Sequence, residues 1–304
     1  MFFKKRPDGT LLKVPGYTKM VSIMMPTRIE STIYMQETIV VDKAYKLMEE
    51  WNKDLPDGAR RLTIMPILLA ALARAVATRP KLNRFVSNFR HYQRNNISFS
   101  FVTKKSLTDD GKEVNLTIPF KPEDTLKDVF ERFSEYVDLA KSNEGNKNEE
   151  DVDEFDKLPV FLLRLIVWFI RFLDRRNWIS AGMIKLLPFY CTAFITNVGS
   201  LKLNAPLHHN YEIGNVGIFA SLGKTEKEKY ITKDNKISER RIIKVTYTFD
   251  DRIVDGIYAG RAMKIVKDLI ENPEKLLKPA NIAAKYLKEL NLTEQGWKLW
   301  SIEK

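Results

Sequence analysis

The chain has 304 residues, 44% of them hydrophobic and 29% charged, which is enough for a sizeable core and excludes global disorder. A formal charge of +11 admits nucleic acid, an anionic membrane surface or a phosphorylated cofactor, but no aromatic-basic module of the nucleic-acid kind accompanies it, so nucleic acid is set aside. The single cysteine, Cys191, excludes a disulfide framework and fits a reducing, cytoplasmic compartment.

The basic start, Met1 to Arg6, runs into Pro7-Asp8-Gly9 rather than into an apolar segment, so no export signal is read. Ser31 to Val41 is rich in β-branched residues and predicts a strand, with Asp42 as N-cap of a helix through Met48. Thr63 to Ala77 is apolar on nearly all sides and predicts a buried helix that tolerates Pro66 in its first turn. Ile97 to Val102 and Val114 to Ile118 predict strands joined by the turn-forming Asp109-Asp110-Gly111. Thr125 to Leu139 predicts an amphipathic helix with Leu126, Val129, Phe130 and Phe133 on one face.

Asn143 to Asp156 is acidic, has no apolar period and predicts an exposed loop. Two apolar helical segments follow, Leu158 to Leu173 and Trp178 to Leu187. The first carries Arg164 and Arg171 and falls short of the ~20 residues that a spanning helix needs. With Arg175 these arginines form a basic stripe on an otherwise apolar helix, suited to packing in an oligomer, to covering an apolar channel, or to peripheral contact with an anionic membrane. Phe194 to Gly199, Val216 to Ser221 and the alternating Ile243 to Phe249 predict strands, and Ile257 to Ile270 predicts a helix ended by Asn272-Pro273.

Between that last strand and helix lies Asp250-Asp251-Arg252-Ile253-Val254-Asp255-Gly256. It resembles the Asp-His-Arg-x-x-Asp-Gly signature of the acyltransferase catalytic domains of 2-oxoacid dehydrogenase complexes, with Asp251 where the family has its catalytic histidine. Three other segments point the same way. The buried helix running into Arg79-Pro80-Lys81-Leu82-Asn83 resembles the family's Pro-x-Leu-Asn step. Ile195 to Ser200 is similar to Ile-Ser-Asn-Leu-Gly, and Ile270 to Leu277 is similar to the closing segment.

The resemblance implies a chloramphenicol acetyltransferase-like α/β fold, a mixed sheet flanked by helices, that forms homotrimers with active sites between subunits. It implies transfer of an acyl group from a thioester, with coenzyme A as carrier, to a thiol or hydroxyl acceptor whose identity is open. The acyltransferase-like domain would be 1–277, with an apolar helical insert over about 143–190 that the family lacks, and 278–304 would be a C-terminal helical extension. No lipoyl attachment domain is read in this chain. The alternative is a non-catalytic homologue that binds acyl-thioester, or a partner or membrane through 158–173.

For the site, the resemblance aligns Thr196 with the hydroxyl that supports the oxyanion, and makes Asn197, Arg252, Asp255 and Gly256 structural, with Asp255 paired to an arginine such as Arg252. Aspartate titrates near ~3.9 and imidazole near ~6.5, so Asp251 is the weaker base unless its surroundings raise it. Either it is a turn residue, or it acts as base, or it orients an imidazole supplied by His208 or His209 from the loop before Val216. Thr192 is a lesser hydroxyl candidate, Cys191 reads as a small buried hydrophobe, and no metal-ligand spacing is present.

Overall fold

The computed structural model describes residues 6–104, 113–141 and 158–302. Its frame is a six-stranded mixed sheet in the order β2-β9-β8-β7-β5-β6, built from β2 (Thr32–Val40), β5 (Ile97–Lys104), β6 (Glu113–Phe120), β7 (Ala193–Asn197), β8 (Ile218–Ile231) and β9 (Ile237–Asp250). β7 runs parallel to both β5 and β8, and the remaining pairs are antiparallel. A smaller antiparallel sheet, β1 (Gly9–Leu11), β4 (Arg90–Arg94) and β3 (Arg84–Ser87), stands beside it.

The predicted buried helix is α3 (Ile64–Thr78), in which every residue from Met65 to Ala77 is buried. Arg74 is tolerated there because its two terminal nitrogens bond the carbonyls of Lys275, Lys278 and Asp124, while Nε has no partner among the described residues. α3 shares the main core with α4 (Leu126–Lys141) and α7 (Gly256–Glu271), whose Ala259, Ala262, Met263, Val266 and Ile270 are buried as the periodicity predicts. Asp42 is not an N-cap. It is the first residue of α2 (Asp42–Asn52), and its carboxylate accepts from the Arg241 backbone N–H at 3.1 Å.

The apolar insert forms α5 (Val160–Arg175) and the short α6 (Ala181–Lys185). The predicted turn at 109–111 and loop at 143–156 lie outside the described residues. Past residue 278, α8 (Ala284–Leu290) and α9 (Glu294–Lys298) return to the body, where Leu290 and Leu299 are buried and Thr293 N–H donates to the Asn95 carbonyl.

Met1 to Lys5 of the basic start lie outside the described residues. Arg6 is buried between Asp8 (2.9 Å) and Asp174 at the end of α5 (2.8 Å), with its guanidinium over the Phe85 and Tyr92 rings. Burial alone would lower its pKa, but the Asp8 and Asp174 charges outweigh it and hold the guanidinium above its ordinary value.

Candidate active site

β9 delivers the signature to one end of the sheet. Asp250 N–H donates to the Gly217 carbonyl at 2.9 Å and Asp251 N–H to the Ser31 carbonyl at 2.8 Å, so the turn is held between the residues that lead into β2 and β8. Ile253 and Val254 are buried beneath it. The Arg252 fork turns back on Asp250, with Nε–Oδ1 at 2.8 Å and Nη2–Oδ2 at 2.7 Å, and Nη1 donates to the carbonyls of Met25 and Pro26. Both side chains are almost fully buried, a bidentate pair of the strong kind.

Arg252 is therefore Asp250's partner and not Asp255's. Asp255 is exposed and caps α7, its Oδ1 accepting from Tyr258 N–H at 2.8 Å. Gly256 opens that helix in open space, since a Cβ there would meet nothing within 4 Å. Asp251 is half-exposed, and among the described residues its carboxylate makes no hydrogen bond or ion pair. Its pKa is raised, first by partial burial and then by the charges of Asp250 and Asp255.

His208 and His209 lie in the loop between β7 and β8, which crosses the outer face of β9. The Thr246 hydroxyl donates to the Pro206 carbonyl and the Thr248 hydroxyl to the His208 carbonyl. These bonds, and Arg28 donating to the carbonyls of Tyr211 and Glu212, hold the loop within its own subunit. The His208 ring stacks on Phe219, centroids 4.0 Å apart.

Each imidazole points Nδ1 at the next residue's carbonyl, His208 at His209 O (2.7 Å) and His209 at Asn210 O (3.0 Å). A donor at Nδ1 leaves Nε2 as the basic nitrogen of both neutral rings. Within one chain neither ring bonds Asp251, and the His208 carbonyl rests on Thr248, three residues and about 10 Å along β9 from it. Asn210, which nothing in the sequence pattern singles out, is fully buried with neither amide atom bonded among the described residues.

Thr196 ends β7 half-buried, its hydroxyl without a hydrogen-bond partner among the described residues. Asn197 turns the chain, its Oδ1 accepting from Gly199 N–H at 3.0 Å. Gly199 is needed there because a Cβ would come within 2.5 Å of the Gly223 carbonyl oxygen. Thr192 is spent on structure, donating to Asn83 Oδ1 (2.7 Å) and accepting from Ser98 N–H (3.1 Å). Burial pushes the Cys191 thiol up to about 11, away from nucleophilic use.

The register separates the two candidates on the sheet. Thr196 lies across from Ser221, and Ser221 across from Thr246, five residues before Asp251. That is about 17 Å along the strand and two strand spacings, about 10 Å, across it. One chain cannot bring Thr196 and Asp251 to the same substrate carbonyl.

Beside the signature opens a cleft of about 410 Å³ that no sequence motif marks, lined among others by Arg28, Arg171, Asp174, Arg175, Glu212 and Arg252. Arg28 is buried, bonds only backbone carbonyls and has no carboxylate within ion-pair distance among the described residues. Burial therefore lowers its pKa, the Asp250 charge opposing and the Arg252 charge adding to that. Nothing in the local sequence marks this residue out from the other 49 of the 50 lysines and arginines.

Residues 192–278 match the family of 2-oxoacid dehydrogenases acyltransferase (catalytic domain). The dihydrolipoyllysine-residue acetyltransferase component of the pyruvate dehydrogenase complex of Staphylococcus epidermidis is 22% identical over 286 residues, covering 89% of this chain and 54% of that protein. The succinyltransferase component of the 2-oxoglutarate dehydrogenase complex of Staphylococcus aureus is 30% identical over 131 residues, 37% of this chain and 30% of that protein. The chain spans about half the length of the first of these relatives.

Among solved structures, a probable dihydrolipoamide acetyltransferase from Listeria monocytogenes has a TM-score of 0.55 at 15% identity, covering 90% of this chain and 97% of that one. The cubic core of the pyruvate dehydrogenase multienzyme complex has a TM-score of 0.57 at 14% identity, covering 88% and 94%. A chloramphenicol acetyltransferase has 0.52 at 11%, covering 86% and 99%. The chain has the fold of these proteins, a mixed sheet flanked by helices, and the resemblance drawn from the four motifs is borne out.

Proposed function

We propose that this chain is a thioester-dependent acyltransferase that assembles as a homotrimer, with each reaction centre shared between two copies. The observation that carries the reading is the separation of Thr196 from Asp251 along the sheet, in a fold and family whose members include acetyl- and succinyltransferase components. A site that needs a hydroxyl donor and a base is incomplete in one subunit and complete when Thr196 of one copy faces the signature turn of the next.

In this reading a basic group at the turn takes the proton from a thiol or hydroxyl acceptor as it attacks the carbonyl of an acyl-coenzyme A. The Thr196 hydroxyl donates to the tetrahedral oxyanion. Collapse breaks the carbon–sulfur bond, and the departing thiolate takes up the proton held by the base. Two bases are open to the chain. Asp251 is unpaired and its pKa is raised, both of which favour proton acceptance. His208 and His209 each present a free Nε2, and either would need Asp251 of its own or a neighbouring subunit as orienting carboxylate.

Acyl transfer from a panel of acyl-coenzyme A donors to thiol and hydroxyl acceptors tests the reading. Turnover that falls in Thr196→Ala by about 10²–10³, as for removal of one oxyanion donor, supports it. Loss in His208→Ala or His209→Ala places the base in the loop, and retention in both places it at Asp251. Binding of coenzyme A thioesters without turnover for any donor would make the chain a non-catalytic acyl-thioester binder.

A further inference from the structure

α5 inverts the usual logic of a helix on a folded core. Of its 16 residues the only buried one is Asp174, while Phe161, Leu165, Trp168 and Phe169 are between 49% and 72% exposed. These four share one face at helical spacing, and Arg164, Arg171 and Arg175 line its margin at i, i+7 and i+11. The helix is held to the body at one end, by Asp174 against Arg6 and Ser87. No helix among the described residues is long and apolar enough to cross a membrane.

A second unpartnered apolar face belongs to α1 (Gly16–Met24), where Tyr17, Met20, Ile23 and Met24 are exposed. The segment that follows α1, Pro26 to Ile29, and the last turns of α5 together wall the basic cleft. Within the cleft, Arg28 is buried without a carboxylate partner. Arg171 and Arg175 are exposed and form no ion pair among the described residues. Of the two carboxylates that line the cleft, Asp174 is held by Arg6 and Glu212 accepts from Ile29 N–H, so the three arginines leave it with a net positive charge, that of a site for an anion.

We infer that α1 and α5 seat the protein on an anionic lipid surface, with the acidic phosphate of a lipid headgroup entering the cleft at Arg28, Arg171 and Arg175. An apolar face with aromatic residues, a basic margin and a length below a membrane span is the pattern of a helix lying in the plane of the interface. Charge decides between this occupant and a second copy of the chain. A face-to-face contact between two α5 helices would gather three arginines from each copy along one desolvated seam, whereas anionic headgroups neutralise them. The inference uses none of the residues proposed for acyl transfer.

Sedimentation of the full chain with vesicles of phosphatidylcholine alone, or of phosphatidylcholine mixed with phosphatidylglycerol, tests it. The expected result is binding to the mixed vesicles only. The double variant Trp168→Ser/Phe169→Ser, at positions outside every buried apolar cluster, should lose that binding. Arg171→Gln/Arg175→Gln should weaken it about 30-fold, the change expected from removing two arginines near a charged surface. Arg28→Gln should weaken it further if the cleft holds the headgroup.

Equal binding to both vesicle types, retention by the apolar variant, or no binding at all would overturn the inference. So would a loss of vesicle binding by the parent accompanied by an oligomer that light scattering shows to dissociate in the Trp168/Phe169 variant, since the face would then join copies. Thermal stabilisation of the parent but not of Arg28→Gln by inorganic phosphate, without vesicle binding, would assign the cleft to a free phosphate and overturn the lipid source.

Discussion

Asp250, Asp251 and Asp255 stand within one turn, and their surroundings divide their roles. Asp250 is buried and matched to the Arg252 fork, so Asp250→Ala leaves a buried guanidinium without its counter-charge. Urea unfolding should show a loss of about 3–5 kcal/mol, the cost of breaking rather than replacing a buried pair. Asp255 caps α7 through one backbone N–H, a task asparagine performs equally well. Asp255→Asn should therefore melt like the parent, whereas Asp255→Ala should lose about 1 kcal/mol. Asp251 is the reverse case. Its pKa is raised in the fold, so the folded chain releases that proton at higher pH than the unfolded chain does, and stability falls as pH rises through the raised value. Asp251→Asn removes this loss. Parent and variant should melt together below the unfolded carboxyl value of about 3.9, and the variant should melt higher at neutral pH. A variant that melts lower at neutral pH would mean that the carboxylate has a cationic partner, which it lacks among the described residues of one chain.

Elements with an apolar period were legible in the sequence, and those organised by charge were not. α3 and α7 follow from periodicity because their burial is apolar. The sequence pattern predicts β8 and β9 only over 216–221 and 243–249, yet they extend to Ile231 and from Ile237. The outer ribbon is two-stranded and solvated, so its sides are joined by Glu228–Arg240 at 2.6 Å, with Glu226–Lys244 at 3.7 Å where β2 joins β9, in place of an apolar stripe. α5 was legible as an apolar helix, but its mooring is Asp174, reached by Arg6 from the other end of the sequence. Arg28 and Asn210 were invisible for the same reason, since a lone arginine or asparagine acquires meaning only from what the fold buries around it. Asp174→Ala should release this end of α5. Arg6 keeps Asp8, so the cost should be that of one charged contact, about 1–3 kcal/mol, read by urea unfolding together with faster proteolysis across 158–175.

At the scale of the whole molecule, the proposed division of the site between copies has a consequence that a single-chain site does not share. Thr196→Ala and Asp251→Ala each disable every site of a pure trimer if Thr196 is the oxyanion donor and Asp251 the base or its orienting partner. In a mixed trimer of the two variants, the contact between copies runs head to tail around the ring. One of its three junctions then pairs the intact turn of a Thr196→Ala subunit with the intact hydroxyl of an Asp251→Ala subunit. Co-expressing the two variants in equal amounts should therefore restore roughly a quarter of the parental activity, because three in four random trimers are mixed and each regains one junction in three. Light scattering on the same preparations should give three chains per particle. If the site instead lay within one subunit, the mixture would be no more active than either variant alone, and the register separation of Thr196 from Asp251 would have to be crossed by the substrate itself. A monomer would leave Thr196 no neighbour to serve. The single substitutions would then be expected to act independently, each with its own partial loss, rather than to complement one another.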